Sequence, residues 1–304
     1  NMMTKTYDVI VIGSGTAATT VAKRVSAAGR SVAVTDFRPY GGTFALRGCD
    51  PKKMLIGGTS AADHARRMRG KGVEGDVRID WHQLLAFKRS FTDPVPDKKE
   101  KSFSESGIAT FHGRARFVGP SAVEVDGETL EARHIVLATG AEPMKLGIPG
   151  EEHLIDNEGF LKMESLPRRI VLVGGGYIAA EFSHIAVRAG AEVTILQHGE
   201  RMLRGFDPDL VGWLMEKYDE IGVTLHTGTE VKRIEKTGDG FRITAAGDGG
   251  SETFEADLVV HAAGRKPDFE PLDLKAGGVE LRDGRLALNK YLQSTSNPAV
   301  YAAG

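Results

Sequence analysis

With 304 residues, 41% of them apolar, and a formal charge of −2, the chain has the composition of a globular protein large enough for about two domains. The near-neutral balance leaves no electrostatic footprint for nucleic acid or an acidic membrane surface, and no apolar run is long enough to cross a bilayer. A single cysteine, Cys49, excludes an intrachain disulfide and a cysteine-cluster metal site, and points to a reducing, cytoplasmic setting.

Asn1, ahead of Met2-Met3, reads as an added residue, and a strand pattern begins so soon after it that no signal peptide is expected. Residues 7–12 are largely β-branched and apolar, as a buried parallel strand requires. The turn Gly13-Ser14-Gly15-Thr16-Ala17-Ala18 matches G-x-G-x-x-A and opens a helix ending at Gly29. A second strand over residues 32–34 leads to Asp36, which lies 21 residues past Gly15. This arrangement suits a dinucleotide. Gly13 permits the tight turn, Gly15 lets backbone amides approach a pyrophosphate, and Ala18 allows close helix–strand packing. The helix N-terminus adds partial positive charge, and Asp36 can accept from ribose hydroxyls.

The stretch GGTFALRGCDPKK at residues 41–53 follows, with the lone Cys49 and adjacent Lys52 and Lys53 ahead of a helical run to about residue 69. Residues 73–80 connect, and residues 81–106 are helical by composition but must break at Pro94 and Pro96. Short strands flank an Asp126-Gly127 turn, and HIVLATGAEP is an apolar strand ending in small residues that admit a close approach to a cofactor.

The pattern then repeats. Gly13, Gly15, Gly29 and Asp36 correspond to Gly174, Gly176, Gly190 and Gln197, each 161 residues further on. Two copies in strand–turn–helix context are far more specific than one, so two dinucleotides are expected. Gln197 is uncharged and is followed by His198, Arg201 and Arg204, a setting that favours the 2′-phosphate of NADPH over NADH. The second copy closes with strands suited to an antiparallel meander. VVHAAGRKP echoes IVLATGAEP, and the chain stops on a glycine turn as though cut.

Taken together, GSGTAA, GGTFALRGCDPKK, ATGAEP, GGGYIAAEF, LRGFD, AAGRKP and TSNPAVYAAG resemble the class I pyridine nucleotide–disulfide oxidoreductases, the family of glutathione reductase, dihydrolipoamide dehydrogenase and mercuric reductase. GGGYIAAEF with LRGFD looks closest to the glutathione reductase branch. The resemblance implies an α/β protein of two Rossmann-like domains with antiparallel β meanders. One is an FAD-binding domain over residues 1–147 plus 267–304, the other an inserted NAD(P)H-binding domain over residues 148–266. By position, Gly13, Gly15, Thr16, Ala17, Asp36, Thr43, Ala115, Thr139 and Gly140 would contact FAD. Gly174, Gly176, Ile178, His198, Arg204, Gly264 and Arg265 would contact NADPH. Tyr177 would cover the nicotinamide pocket, and Glu181 would pair with Lys52 or Lys53 near flavin N5.

This chain departs from the family pattern at three places. Phe44 stands where the first redox cysteine belongs, His198 replaces the usual arginine, and neither the aspartate after AAG nor the C-terminal dimerisation domain is included. A homodimer is therefore expected only with that domain present. Hydride would pass from NADPH to flavin and on to a small-molecule acceptor: a disulfide, a quinone or oxygen. Cys49 could still face the flavin, but Phe44 cannot exchange with a disulfide. Alternatives are a flavin-only diaphorase, NAD(P)H oxidase or transhydrogenase, and a non-catalytic FAD- or nucleotide-binding protein.

Overall fold

The computed structural model describes residues 4–304; Asn1, with its reading as an added residue, and the two methionines lie outside the described residues. In chain order the elements are β1 (Lys5–Ile12), α1 (Thr16–Ala27), β2 (Val32–Asp36), α2 (Gly42–Leu46), α3 (Cys49–Arg67), α4 (Trp81–Thr92) and α5 (Val95–Glu105). Next come β3 (Ala109–His112), β4 (Ala115–Gly119), β5 (Ala122–Val125), β6 (Glu128–Leu137), β7 (Ala141–Pro143), α6 (Asn157–Leu161) and β8 (Arg169–Val173). Then follow α7 (Tyr177–Ala189), β9 (Glu192–Leu196), α8 (Pro208–Ile221), β10 (Val223–His226), β11 (Glu230–Thr237), β12 (Gly240–Gly247) and β13 (Gly250–Ala256). The chain finishes with β14 (Leu258–His261), β15 (Arg265–Pro267), β16 (Leu281–Arg282), β17 (Arg285–Leu286) and β18 (Val300–Ala302). Among the described residues no helix is long and apolar enough to cross a membrane.

Two compact units emerge. The first holds the chain up to Leu46, Phe91–Glu142 and Pro267–Gly304. Its sheet runs β3-β2-β1-β6-β5-β4, with β18 also on β6. Strand β6 pairs with β1 along one side and with both β5 and β18 on the other, and its sequence shows why. Its first half, ETLEAR, alternates and pairs antiparallel with β5, whereas its buried end pairs parallel with β18 through Ile135–Val300. Asp126 and Gly127 both take positive φ, 49° and 79°, as the two-residue hairpin between β5 and β6 demands. Pro94 caps α5 and Pro96 sits in its first turn, where a missing N–H costs nothing. The break expected from these prolines is thus a helix start.

The second unit holds Arg47–Ser90 and Pro143–Lys266. A parallel sheet, β10-β9-β8-β14, packs on α7, and β11-β12-β13 form an antiparallel meander. Residues 47–90 cluster with this unit. The reason is burial. Leu55 of α3 and Trp81 of α4 sit in one apolar cluster with Phe160, Ile178, Phe182 and Ile185. Trp81 Nε1 donates to the Met163 carbonyl at 2.8 Å and Lys88 Nζ to the Leu161 carbonyl at 2.9 Å. Bonds of this kind satisfy polar tips that would otherwise be stranded in the apolar interior.

Candidate functional site

In the first unit β1 delivers the chain into Gly13, with φ of 119°, whose N–H donates to the Thr35 carbonyl at 2.7 Å. A Cβ at Gly13 would collide with the Ala138 carbonyl, so only glycine lets this turn approach the end of β6. Gly15 then caps α1 without a side-chain hydrogen bond, and no acidic residue stands in the first turn. The amides of Thr16 and Ala17 are therefore left without intrahelical acceptors, the condition for holding an anion. Gly42 lies so close to Gly15 that a Cβ would overlap its Cα, and the last residue, Gly304, approaches Ala17. Ala18, 1% exposed, makes the tight helix–strand contact.

Around this turn the candidate residues gather unevenly. Asp36 ends β2, and its carbonyl accepts at 3.0 Å from the N–H of Gly113, two residues before Ala115 at the start of β4. Ala115 is buried, so the peptide, not the side chain, is what it can offer a ligand. Thr139 and Gly140 follow Ala138 in the turn after β6, and Gly140 takes φ of 71°. Thr43 is exposed on α2 beside Phe44, which is 49% exposed. Phe37, just past Asp36, lies under the Arg114 guanidinium at 3.7 Å. Sequence reasoning passed over that stack, and over Ser14 inside the glycine turn.

The second unit repeats the device. Gly174 has φ of 109°, its N–H donates to the Leu196 carbonyl at 2.9 Å, and a Cβ there would collide with the Ala262 carbonyl. That approach brings the turn beside Ala263, next to Gly264 and Arg265. Gly176 caps α7, again with no side-chain cap and no acid in the first turn. Ile178 is buried in the core, so only its backbone can address a nucleotide. Gln197 turns inward, 4% exposed, with Nε2 donating to the Arg201 carbonyl at 3.2 Å. Arg201 itself bonds the carbonyls of Arg204 and Phe206 and closes its own loop. His198 and Arg204 are left exposed on that loop.

Helix α7 carries Tyr177, Glu181, His184 and Arg188 at i, i+4, i+7 and i+11, one face of a helix. This face meets α3. Lys52 Nζ pairs with Glu181 Oε2, and its ammonium lies 5.5 Å from the centre of the Tyr177 ring. Lys52 is 5% exposed and Lys53 is exposed, so the partner of Glu181 is Lys52. Helix periodicity explains the choice, because α3 turns Lys52, Leu55 and Thr59 inward and Lys53 outward. Farther along, Arg188 pairs with Asp63 at 3.3 Å and its Nη1 meets His184 Nδ1 at 3.3 Å. Burial and the Arg188 charge push the His184 imidazole down to about 4, which keeps it neutral as an acceptor. Tyr218 donates to the Ala180 carbonyl, and burial pushes its phenol up to about 12.

Cys49 is the first residue of α3 and is half-buried. Just ahead of it, the Arg47 carbonyl accepts from Asn157 Nδ2 at 2.7 Å, while Asn157 Oδ1 accepts from Arg265 at 2.8 Å. One buried amide thus ties the segment before the cysteine to the turn after Gly264. No sequence signal singled out Asn157, because its partners lie 110 and 108 residues away.

The sequence pattern of the family described as pyridine nucleotide-disulphide oxidoreductase matches residues 7–304. The chain belongs to this family. Family relatives include a mercuric reductase from Staphylococcus aureus, 32% identical over 98% of this chain and 55% of its own length. A dihydrolipoyl dehydrogenase from Thermus scotoductus is 32% identical over 99% of this chain and 66% of its own length. A glutathione reductase from Nostoc sp. is 30% identical over 99% of this chain and 68% of its own length. The chain therefore spans about half to two-thirds of the relatives it matches. The same architecture occurs in the Cu(II) complex of the HOCl-induced flavoprotein disulfide reductase RclA from Escherichia coli. It matches with a TM-score of 0.86 and 24% identity, over 99% of this chain and 66% of that one.

Proposed function

We propose that this chain is the FAD- and NADPH-binding part of an oxidoreductase that takes hydride from NADPH and delivers electrons through flavin to a small-molecule acceptor. The observation that carries this reading is the pairing of the buried Lys52 with the half-exposed Glu181 beside Tyr177, at the open start of α7 and on a helix that begins at the lone cysteine. Family membership implies FAD and a pyridine nucleotide, and both glycine turns fit a pyrophosphate, since each leaves uncapped amides where a Cβ would intrude. FAD, when bound, supplies the two-electron relay between donor and acceptor. In the first unit the amides of Gly15, Thr16 and Ala17 hold the pyrophosphate and Asp36 the ribose, with Thr43, Thr139, Gly140 and the Ala115 peptide around them. In the second unit Gly174, Gly176 and the Ile178 amide take the nicotinamide dinucleotide beside Gly264 and Arg265. His198 and Arg204 face its 2′-phosphate. Tyr177 covers the nicotinamide pocket, with Lys52 held by Glu181 beside its ring.

Cys49 offers one thiol, and disulfide exchange needs a second to resolve the mixed disulfide. Phe44 supplies none, which favours a quinone or oxygen as acceptor over a disulfide. Anaerobic titration of the FAD-loaded protein with NADPH, then NADH, tests this by visible absorbance. Flavin bleaching is expected at lower concentrations of NADPH. No reduction by either nucleotide would leave a nucleotide-binding protein and overturn the enzyme reading. Rapid turnover of glutathione disulfide would overturn the role given to Phe44.

A further inference from the structure

Ser14 occupies the first glycine turn and is 0% exposed, yet its hydroxyl is fully engaged. Oγ donates to Asp36 Oδ2 at 2.5 Å and accepts from the Gly41 N–H at 3.1 Å. The other carboxylate oxygen, Oδ1, accepts from the Arg38 N–H at 2.9 Å. Asp36 is thus gripped at both oxygens, and Ser14 links three segments: the glycine turn, the end of β2 and the Gly41-Gly42 turn. A hydroxyl has one proton to give, and here it goes to the carboxylate. A carboxylate has about four lone-pair sites, so two protein donors fix its plane and leave acceptor capacity for ribose hydroxyls.

The second unit is an internal control. Ser14 and Asp36 correspond, 161 residues on, to Gly175 and Gln197. There the Gln197 side chain lies against the glycine, and a Cβ at Gly175 would meet its Cδ at 2.8 Å. The two positions are matched within each unit: serine with an acid that it grips, glycine with a buried amide that fills the serine's place. Neither partner fits the other's turn, since a serine at 175 would displace Gln197 and a glycine at 14 would strip Asp36 of a donor.

We infer that Ser14 is a positioning residue that sets the Asp36 carboxylate for the ribose of the dinucleotide taken by the first unit. The inference rests on the proposed reading of that unit as an FAD site. Apo-protein is titrated with FAD and followed by flavin fluorescence, for wild type, Ser14→Ala, Ser14→Gly, Asp36→Asn and the Ser14→Ala/Asp36→Asn double variant. Circular dichroism checks that each is folded, and the glycine variant stands in if alanine is not tolerated. Loss of a charge-assisted hydrogen bond should raise the FAD Kd about tenfold in either Ser14 variant. In the Asp36→Asn background the same change should cost less than about twofold, because the carboxylate to be positioned is gone. Wild-type affinity in both Ser14 variants, or an undiminished loss in the double variant, would overturn the positioning role alone. Wild-type protein that binds no FAD would overturn the reading of the unit as well.

Discussion

The Lys52–Glu181 pair is asymmetric, and the asymmetry has a measurable consequence. The Lys52 side chain is 7% exposed and that of Glu181 is 37% exposed. Glu181→Ala leaves an ammonium in an apolar setting without its counter-charge. Breaking a buried pair in this way costs about 3–5 kcal/mol, and water reaching the Glu181 side brings the expectation to the lower end, about 3 kcal/mol. The Tyr177 ring, 5.5 Å from the ammonium, returns only about 0.5–1 kcal/mol of that. Lys52→Met removes the buried charge, keeps most of the apolar volume and leaves a carboxylate that solvent already reaches. Its cost should be about 1 kcal/mol or less. Urea denaturation of the apo-protein, followed by far-UV circular dichroism, measures both. The midpoint should fall clearly for Glu181→Ala and little for Lys52→Met, while both variants slow flavin reduction by NADPH. If Lys52→Met proves as destabilising as Glu181→Ala, the pair is not desolvated on the lysine side and the reasoning fails.

His184 titrates near 4 in the folded protein against about 6.5 in the unfolded chain, because burial and Arg188 disfavour its charged form. The unfolded state therefore binds the extra proton first as pH falls. The contribution is complete above pH 6.5 and is lost progressively towards pH 4, at up to about 1.4 kcal/mol per pH unit. His184→Gln should flatten the acid limb of a stability–pH profile, and an unchanged limb would refute the assignment. The glycines of the second unit give a graded test. Gly174→Ala combines positive φ with a collision at the Ala262 carbonyl and should cost more than about 2 kcal/mol in urea denaturation. Gly190→Ala, with φ of 112° but nothing within 4 Å, should cost about 1 kcal/mol. Equal losses would mean that strain, not the close approach, decides at Gly174.

Much of this was legible in the chain because it is local. The apolar strands, the glycine turns, the helices that follow them and the Asp-Gly hairpin each depend on residues within a few positions of one another, where backbone sterics and hydrogen bonding act directly. The repeat at 161 residues placed the second copy, and the family followed from motifs in order. Tertiary structure decided what proximity in sequence cannot. Lys52 and Lys53 look alike as letters; only the packing of α3 on α7 buries the first and leaves the second in water. Gln197 stands in the slot that Asp36 fills in the first copy, and the structure turns it into the space under Gly175, while Arg201 closes its own loop. Residues 47–90 cluster with the second unit because Leu55 and Trp81 have apolar partners more than 75 residues away. Sequence determined which backbone shapes and charges were available. Burial, set by side chains brought together from distant segments, chose which of those charges meet.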